Sequence, residues 1–179
     1  MVTIVQKDDP ILRQIAKSVP KEAFGKTELK KIIKDMKAAL SREDDGVAIA
    51  APQIGISLCI FVVSGRVLSM LYPEKTNKNK SHPDKVFINP KILKISKDKE
   101  ILEEGCLSVR YLYGNIERAK KIKVKAFDEK GAVFEIGASG LLAQIFQHEI
   151  DHLKGELFID KATNIRDIPP VEIEKIPKK

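Results

Sequence analysis

Tryptophan is absent, aromatic residues make up 6% of the chain, and only two cysteines and three histidines occur among its 179 residues. Cys59 and Cys106 can close one disulfide at most, which excludes a disulfide-stapled scaffold and leaves thiols available for chemistry. Long apolar runs are missing as well. Stretches such as Leu58 to Val63 fall far short of the roughly 20 residues of a membrane span, so no membrane crossing is expected. Met1 to Pro10 places Lys7, Asp8 and Asp9 where a secretory signal needs an apolar stretch, and the expected location is the cytoplasm. Internal repeats and low-complexity segments are lacking too.

What is present is ordinary globular material, 43% hydrophobic and 32% charged. That is enough for one core and too short for two ordinary domains, so residues 1–179 are read as one domain. Lys plus Arg outnumber Asp plus Glu by 32 to 25, a net charge of +7. The surplus favours loose contact with phosphate-rich partners such as the ribosome. The lysines are scattered without interleaved aromatics, however, so a solvated surface is the plainer reading and no specific nucleic-acid site is expected.

Leu29, Ile32, Ile33, Met36 and Leu40 recur at helical spacing and predict an amphipathic helix over Thr27–Leu40, with Thr27 as its N-cap. Leu58–Val63, Val86–Ile95 and Lys121–Phe127 are short and rich in Val, Ile and Phe, as strands are. In the last of these Ile122, Val124 and Ala126 alternate with lysines, and Asp128–Gly131 reads as a turn into Ala132–Ile136, a hairpin. A second helix is predicted over Gly140–Leu153, with Ser139 as cap and Gly155 as stop. Residues 72–84, which contain His82, read as a polar loop insertion. The 161–179 tail holds Pro169, Pro170 and Pro177, which argues against a long C-terminal helix.

Chemistry concentrates in His148-Glu149-Ile150-Asp151-His152. Histidines at i and i+4 project from one helix face and can bind one metal ion, while the Glu149 carboxylate between them can reach nearby water. Such a metal needs another protein ligand. Cys106, within Glu104-Gly105-Cys106-Leu107-Ser108, is a better candidate than His82, because thiolate is a strong ligand for iron or zinc. Cys59 lies in an apolar run and reads as a packing residue. A third segment, Gly46-Val47-Ala48-Ile49-Ala50-Ala51-Pro52-Gln53, is crowded with small side chains that let a substrate backbone lie close. Gln53 offers an amide donor to an oxyanion.

In this order and at these separations, the three segments resemble the motifs of peptide deformylase, which removes the N-formyl group from the initiator methionine of nascent bacterial and organellar proteins. Asp9-Pro10-Ile11-Leu12-Arg13 and Leu153 to Asp160 extend the resemblance over roughly residues 3 to 160. It implies an α+β fold, one domain of antiparallel strands around a central helix that carries both histidines. It places the metal ligands on Cys106, His148 and His152, the general acid/base on Glu149, and the oxyanion donors on the Gln53 side chain and the Leu107 N–H. One metal per chain is implied, natively Fe(II), with nickel, cobalt or zinc as substitutes. Glu104 and Arg118 match a pair that braces the cysteine loop. The implied substrate is an N-formylmethionyl nascent peptide, extended along Val47, Ala48, Ile49 and Gly105, with its methionine side chain among Val47, Leu102 and Ile145.

The chain departs from the family pattern at Ala48, usually glycine, at Ile49, usually leucine, and at Arg110, usually proline, which Tyr111 and Tyr113 follow. A backbone conformation that suits only glycine at position 48 would alter the strip facing substrate. Bacterial members often end in a helix that docks on the ribosome, and the proline-containing tail leaves that partner open. Two other readings keep the same residues: a metal-stabilised binding protein, and a His-Glu-x-x-His protease cleaving internal bonds. The retained Glu149 speaks against the first, the cysteine ligand against the second.

Overall fold

The computed structural model describes residues 2–73 and 81–169. Its elements are α1 (Thr27–Ser41), β1 (Ala48–Ala50), β2 (Ile60–Val63), α2 (Gly65–Leu71), β3 (Lys85–Ile95), β4 (Lys99–Gly105), β5 (Leu112–Ala119), β6 (Lys121–Phe127), β7 (Val133–Ser139), α3 (Gly140–Leu153) and β8 (Thr163–Asp167). One antiparallel sheet has the order β1-β2-β3-β6-β7 and a smaller one the order β4-β5-β8. The architecture is α+β, with α3 lying between the two sheets. No helix among the described residues is long and apolar enough to cross a membrane.

The reason α3 is central is written in its sides. Ten of its fourteen residues are buried, six apolar and four polar, so the helix is covered on more than one face. Phe146 packs edge-on against Phe87 at 4.9 Å and beside Phe61 at 5.9 Å, and Phe61 and Phe87 themselves stack at 4.4 Å. Gln147 ties the helix to the end of β5: its amide accepts from the Ala119 N–H and donates to the Ala119 carbonyl, both at 2.9 Å. On the other side of the large sheet, α1 buries Leu29, Ile33, Met36 and Leu40 in a second cluster with Ile49, Ile60 and Val62.

Several expectations need correction. Thr27 is the first helical residue of α1 rather than its cap; Lys26 holds the cap position and makes no side-chain bond. Ser139 does sit at the N-cap of α3, but its hydroxyl makes no capping bond. The strand predicted from Leu58 begins at Ile60, and the hairpin's second strand runs on from Val133 to Ser139. The tail begins with a strand, β8, paired to β5. Most of the predicted 72–84 loop, residues 74–80, and the tail from residue 170 lie outside the described residues.

Gly155 is the stop the sequence indicates, for two reasons. Its φ of +77° suits glycine, and a Cβ there would stand 2.6 Å from the Arg13 carbonyl oxygen. Neither the turn nor the backbone contact can yield cheaply. Gly155→Ala is expected to cost about 2 kcal/mol or more, read as a lower midpoint in urea unfolding.

Candidate active site

β4 delivers Gly105 to the edge of a cleft of about 260 Å³, and the chain then turns through Cys106 before β5 returns. Opposite it, β1 and the 3-10 turn Ala51–Ile54 carry Gln53, and α3 forms the floor with His148, Glu149 and His152. The ligand atoms of Cys106, His148 and His152 all lie within 4.8 Å of one another. Cys106 Sγ is 3.3 Å from His152 Nε2, and it accepts from the Ser108 N–H at 3.4 Å and from Gln53 Nε2 at 3.6 Å. One sulfur and two imidazoles in that space can hold one transition-metal ion.

Behind the ligands runs a buried chain of charge. Glu104 Oε2 sits 2.8 Å from His148 Nδ1, which turns the other ring nitrogen, Nε2, away from the brace. Arg118 grips Glu104 through Nε and Nη2 at 2.8 and 2.9 Å and reaches Asp151 through Nη1 at 2.6 Å. Burial opposes the charge of Glu104, but hydrogen bonds from Arg118 and His148 outweigh it and hold the carboxyl at about 2. At His148, too, burial is overcome: Cys106 and Glu104 raise its pKa well above the ordinary value, so the surroundings favour positive charge there. His152 is pushed down, chiefly by burial and then by the neighbouring His148, which favours the neutral imidazole there.

Glu149 differs from Glu104 because no group among the described residues pairs with it. It is 3% exposed, its Oε2 is buried without a hydrogen-bond partner, and burial raises its pKa to about 7 despite the opposing field of His148. A carboxyl in that condition can both take and give a proton near neutral pH. Gln53 is held rigidly: its Oε1 accepts from the Ala50 N–H at 2.8 Å, and its Nε2 donates to Ser108 Oγ at 3.2 Å beside the sulfur. Leu107 lines the same cleft, and its N–H meets no backbone acceptor among the described residues.

The cleft is bounded by two free strand edges. The Val47 carbonyl accepts from the Ser64 N–H on the β2 side, so antiparallel alternation turns the N–H and C=O of Ala48 outward. On β4 the Glu103 carbonyl faces out to Gln144 Nε2 at 2.9 Å, and Gly105, two residues on, shares that direction. Ala48 has no positive φ, so its Cβ brings no strain. Gly105 has a further duty: a Cβ there would stand 2.6 Å from Tyr113 Cε1.

One expected pocket residue, and one residue of the expected backbone strip, are not in the cleft. Leu102 lies outside it, because β4 reaches the site only at Glu103. Ile49 points the other way, under α1, since alternate strand residues face opposite sides. Val47, Ala48, Gly105 and Ile145 do line it, joined by Leu141, Gln144 and Tyr113. Leu141 and Gln144 were legible in principle, at seven and four residues before His148 on one helix face. Asp151, three residues after His148, carried the same signal and completes the Arg118 brace. His82 sits elsewhere, its Nε2 2.8 Å from the Tyr72 carbonyl. Cys59 is half-buried, its Sγ 3.2 Å from the Ala16 carbonyl.

Two antiparallel sheets closed over a helix that bears paired histidines and an unpaired, buried glutamate define a hydrolase of the His-Glu-x-x-His class. The family model described as polypeptide deformylase matches residues 1–167, and the chain belongs to that family. "Peptide deformylase" of Mesorhizobium japonicum is 37% identical over 171 residues, covering 95% of this chain and 89% of that protein. "Peptide deformylase 1A, chloroplastic" of Solanum lycopersicum is also 37% identical, over 90% of this chain, which spans only 59% of that relative. A crystal structure of the class I type b peptide deformylase of Acinetobacter baumannii, bound to Met-Ala-Ser, superposes with a TM-score of 0.76 at 34% identity, over 88% of this chain and 96% of that one.

Proposed function

We propose that this chain, acting as a single catalytic domain over residues 1–179, hydrolyses the N-formyl group from N-formylmethionyl nascent peptides and releases formate. The observation that carries this is the buried, unpaired Glu149 carboxyl beside the Cys106, His148 and His152 ligand atoms, in a cleft between two free strand edges. Those three side chains would hold one metal ion, Fe(II) natively, with nickel, cobalt or zinc as substitutes. When bound, such an ion supplies Lewis-acid activation of water and of the formyl oxygen.

The chain's own residues divide the remaining work. The substrate backbone adds as an extended strand between Ala48 and Gly105, and its methionine side chain enters the apolar part of the cleft near Val47, Leu141 and Ile145. Glu149 takes the proton of the attacking water. The negative charge that develops on the formyl oxygen meets Gln53 Nε2 and the Leu107 N–H. Glu149 then returns its proton to the amine as the formyl C–N bond breaks, leaving formate and a free methionine N-terminus. Glu104, Arg118 and Asp151 fix His148 for this task without touching substrate.

Removing the donor at Gln53 isolates one part of this scheme. Gln53→Leu is expected to lower kcat for formate release by roughly 100-fold, with KM changed little. The reading as a whole is tested with formyl-Met-Ala-Ser and protein purified without oxygen and loaded with Fe(II). Formate release is the expected result; none, with one metal bound per chain, would overturn it. We further propose a cytoplasmic location and transient ribosome association. In support, the net charge of +7 favours contact with an anionic partner.

A further inference from the structure

The side chain of Arg110 crosses the mouth of the cleft. Nη1 reaches Asp45 Oδ2 at 2.7 Å, and Nη2 reaches Glu43 Oε2 at 2.5 Å and Asp45 Oδ1 at 3.4 Å. The two carboxylates belong to the loop that leads into β1, whereas Arg110 belongs to the loop after Cys106. The acidic loop is itself anchored from behind, since Arg66 Nη2 donates to the Glu43 and Gly46 carbonyls at 2.9 and 3.0 Å. Arg110 and Asp45 both line the cleft. A fork-shaped guanidinium on two carboxylates fixes geometry better than a single exposed pair does.

Which part of a substrate meets this crossing follows from chain direction. The C-terminal end of β1 leads to Gln53, beside Cys106, where the formyl group reacts on the reading proposed above. Its N-terminal end leads back to Gly46 and Asp45. A peptide extended along β1 with its formyl end at Cys106 therefore passes Asp45 and Arg110 with the residues that follow methionine. We infer that Arg110 is a positioning residue: by latching the Glu43–Asp45 loop to the Cys106 loop, it sets the wall against which the second and third residues of the formyl-peptide lie. Deformylation of formylmethionine itself does not depend on that wall in the same degree.

The test compares a long and a short probe. For Arg110→Ala, Arg110→Lys and Asp45→Asn, kcat/KM is measured on formyl-Met-Ala-Ser and on N-formylmethionine amide, and the affinities for Met-Ala-Ser and methionine amide are measured by titration calorimetry. In Arg110→Ala the ratio of kcat/KM, tripeptide over amide, is expected to fall about tenfold through KM, and the ratio of affinities with it. Arg110→Lys should restore part of the ratio, and Asp45→Asn should shift it in the same direction as Arg110→Ala. Equal losses on both probes, or an unchanged ratio in variants that retain the wild-type melting temperature, would overturn the latch. A wild type that releases no formate would sink the proposed activity instead, and the affinity ratio would still decide the latch.

Discussion

Glu149→Gln is expected to reduce formate release from formyl-Met-Ala-Ser by roughly 1,000-fold or more in kcat, with metal content still at one ion per chain. The amide keeps the size of the carboxyl and fills the same buried space, so packing against the helix is retained. It cannot take a proton from water or return one to the leaving amine. Glu149 makes no hydrogen bond through Oε2, so the substitution breaks no structural pair. Metal content measured by atomic absorption separates a lost base from a lost site. Full activity in a variant that holds metal would remove Glu149 from the chemistry.

The largest stability effect is expected at Arg118. Its side chain is 6% exposed, between Glu104 at 3% and Asp151 at 10%. Arg118→Met leaves buried Glu104 with His148 alone and Asp151 with only the Lys161 ammonium at 3.6 Å, and removing one partner of such a buried network costs about 3–5 kcal/mol. For a domain of this size that is a fall in melting temperature of roughly 10 °C. The double variant Arg118→Met, Glu104→Gln should recover part of the loss, because one uncompensated charge has gone with the cation. Acid should act on the same network. The folded Glu104 has its pKa lowered from 4.5 to about 2, so its stabilising contribution is complete above 4.5 and is lost as pH falls toward 2. Urea midpoints followed across that window should drop in the wild type and drop less in Glu104→Gln.

Legibility in the sequence followed the strength of local pattern. The two long helices announce themselves by apolar residues at three- and four-residue spacing, and the β6–β7 hairpin by alternation and an Asp-Glu-Lys-Gly turn. β4 and β8 carry little such signal. Lys99-Glu100-Ile101-Leu102-Glu103-Glu104-Gly105 is polar on both faces and its Ile101 is exposed, while β8 is exposed throughout. These strands exist because β5 offers hydrogen-bond partners on both its sides, a fact that belongs to tertiary structure.

By itself the sequence determined what chemistry the chain can carry: a thiol, two imidazoles at i and i+4, a carboxylate between them and an amide donor, each named by type and spacing. Helical periodicity is a local property, so the common face of His148 and His152 needed no knowledge of the rest of the chain. Only the tertiary structure decided what surrounds those groups. It brings Cys106, 42 residues before His148 in the numbering, to the same point. It leaves Glu149 unpaired while pairing Glu104, turns Ile49 and Leu102 away from the cleft, and sets Arg110 against Glu43 and Asp45. Burial and charge pairing depend on which distant segments meet, and no spacing along one chain encodes that meeting directly.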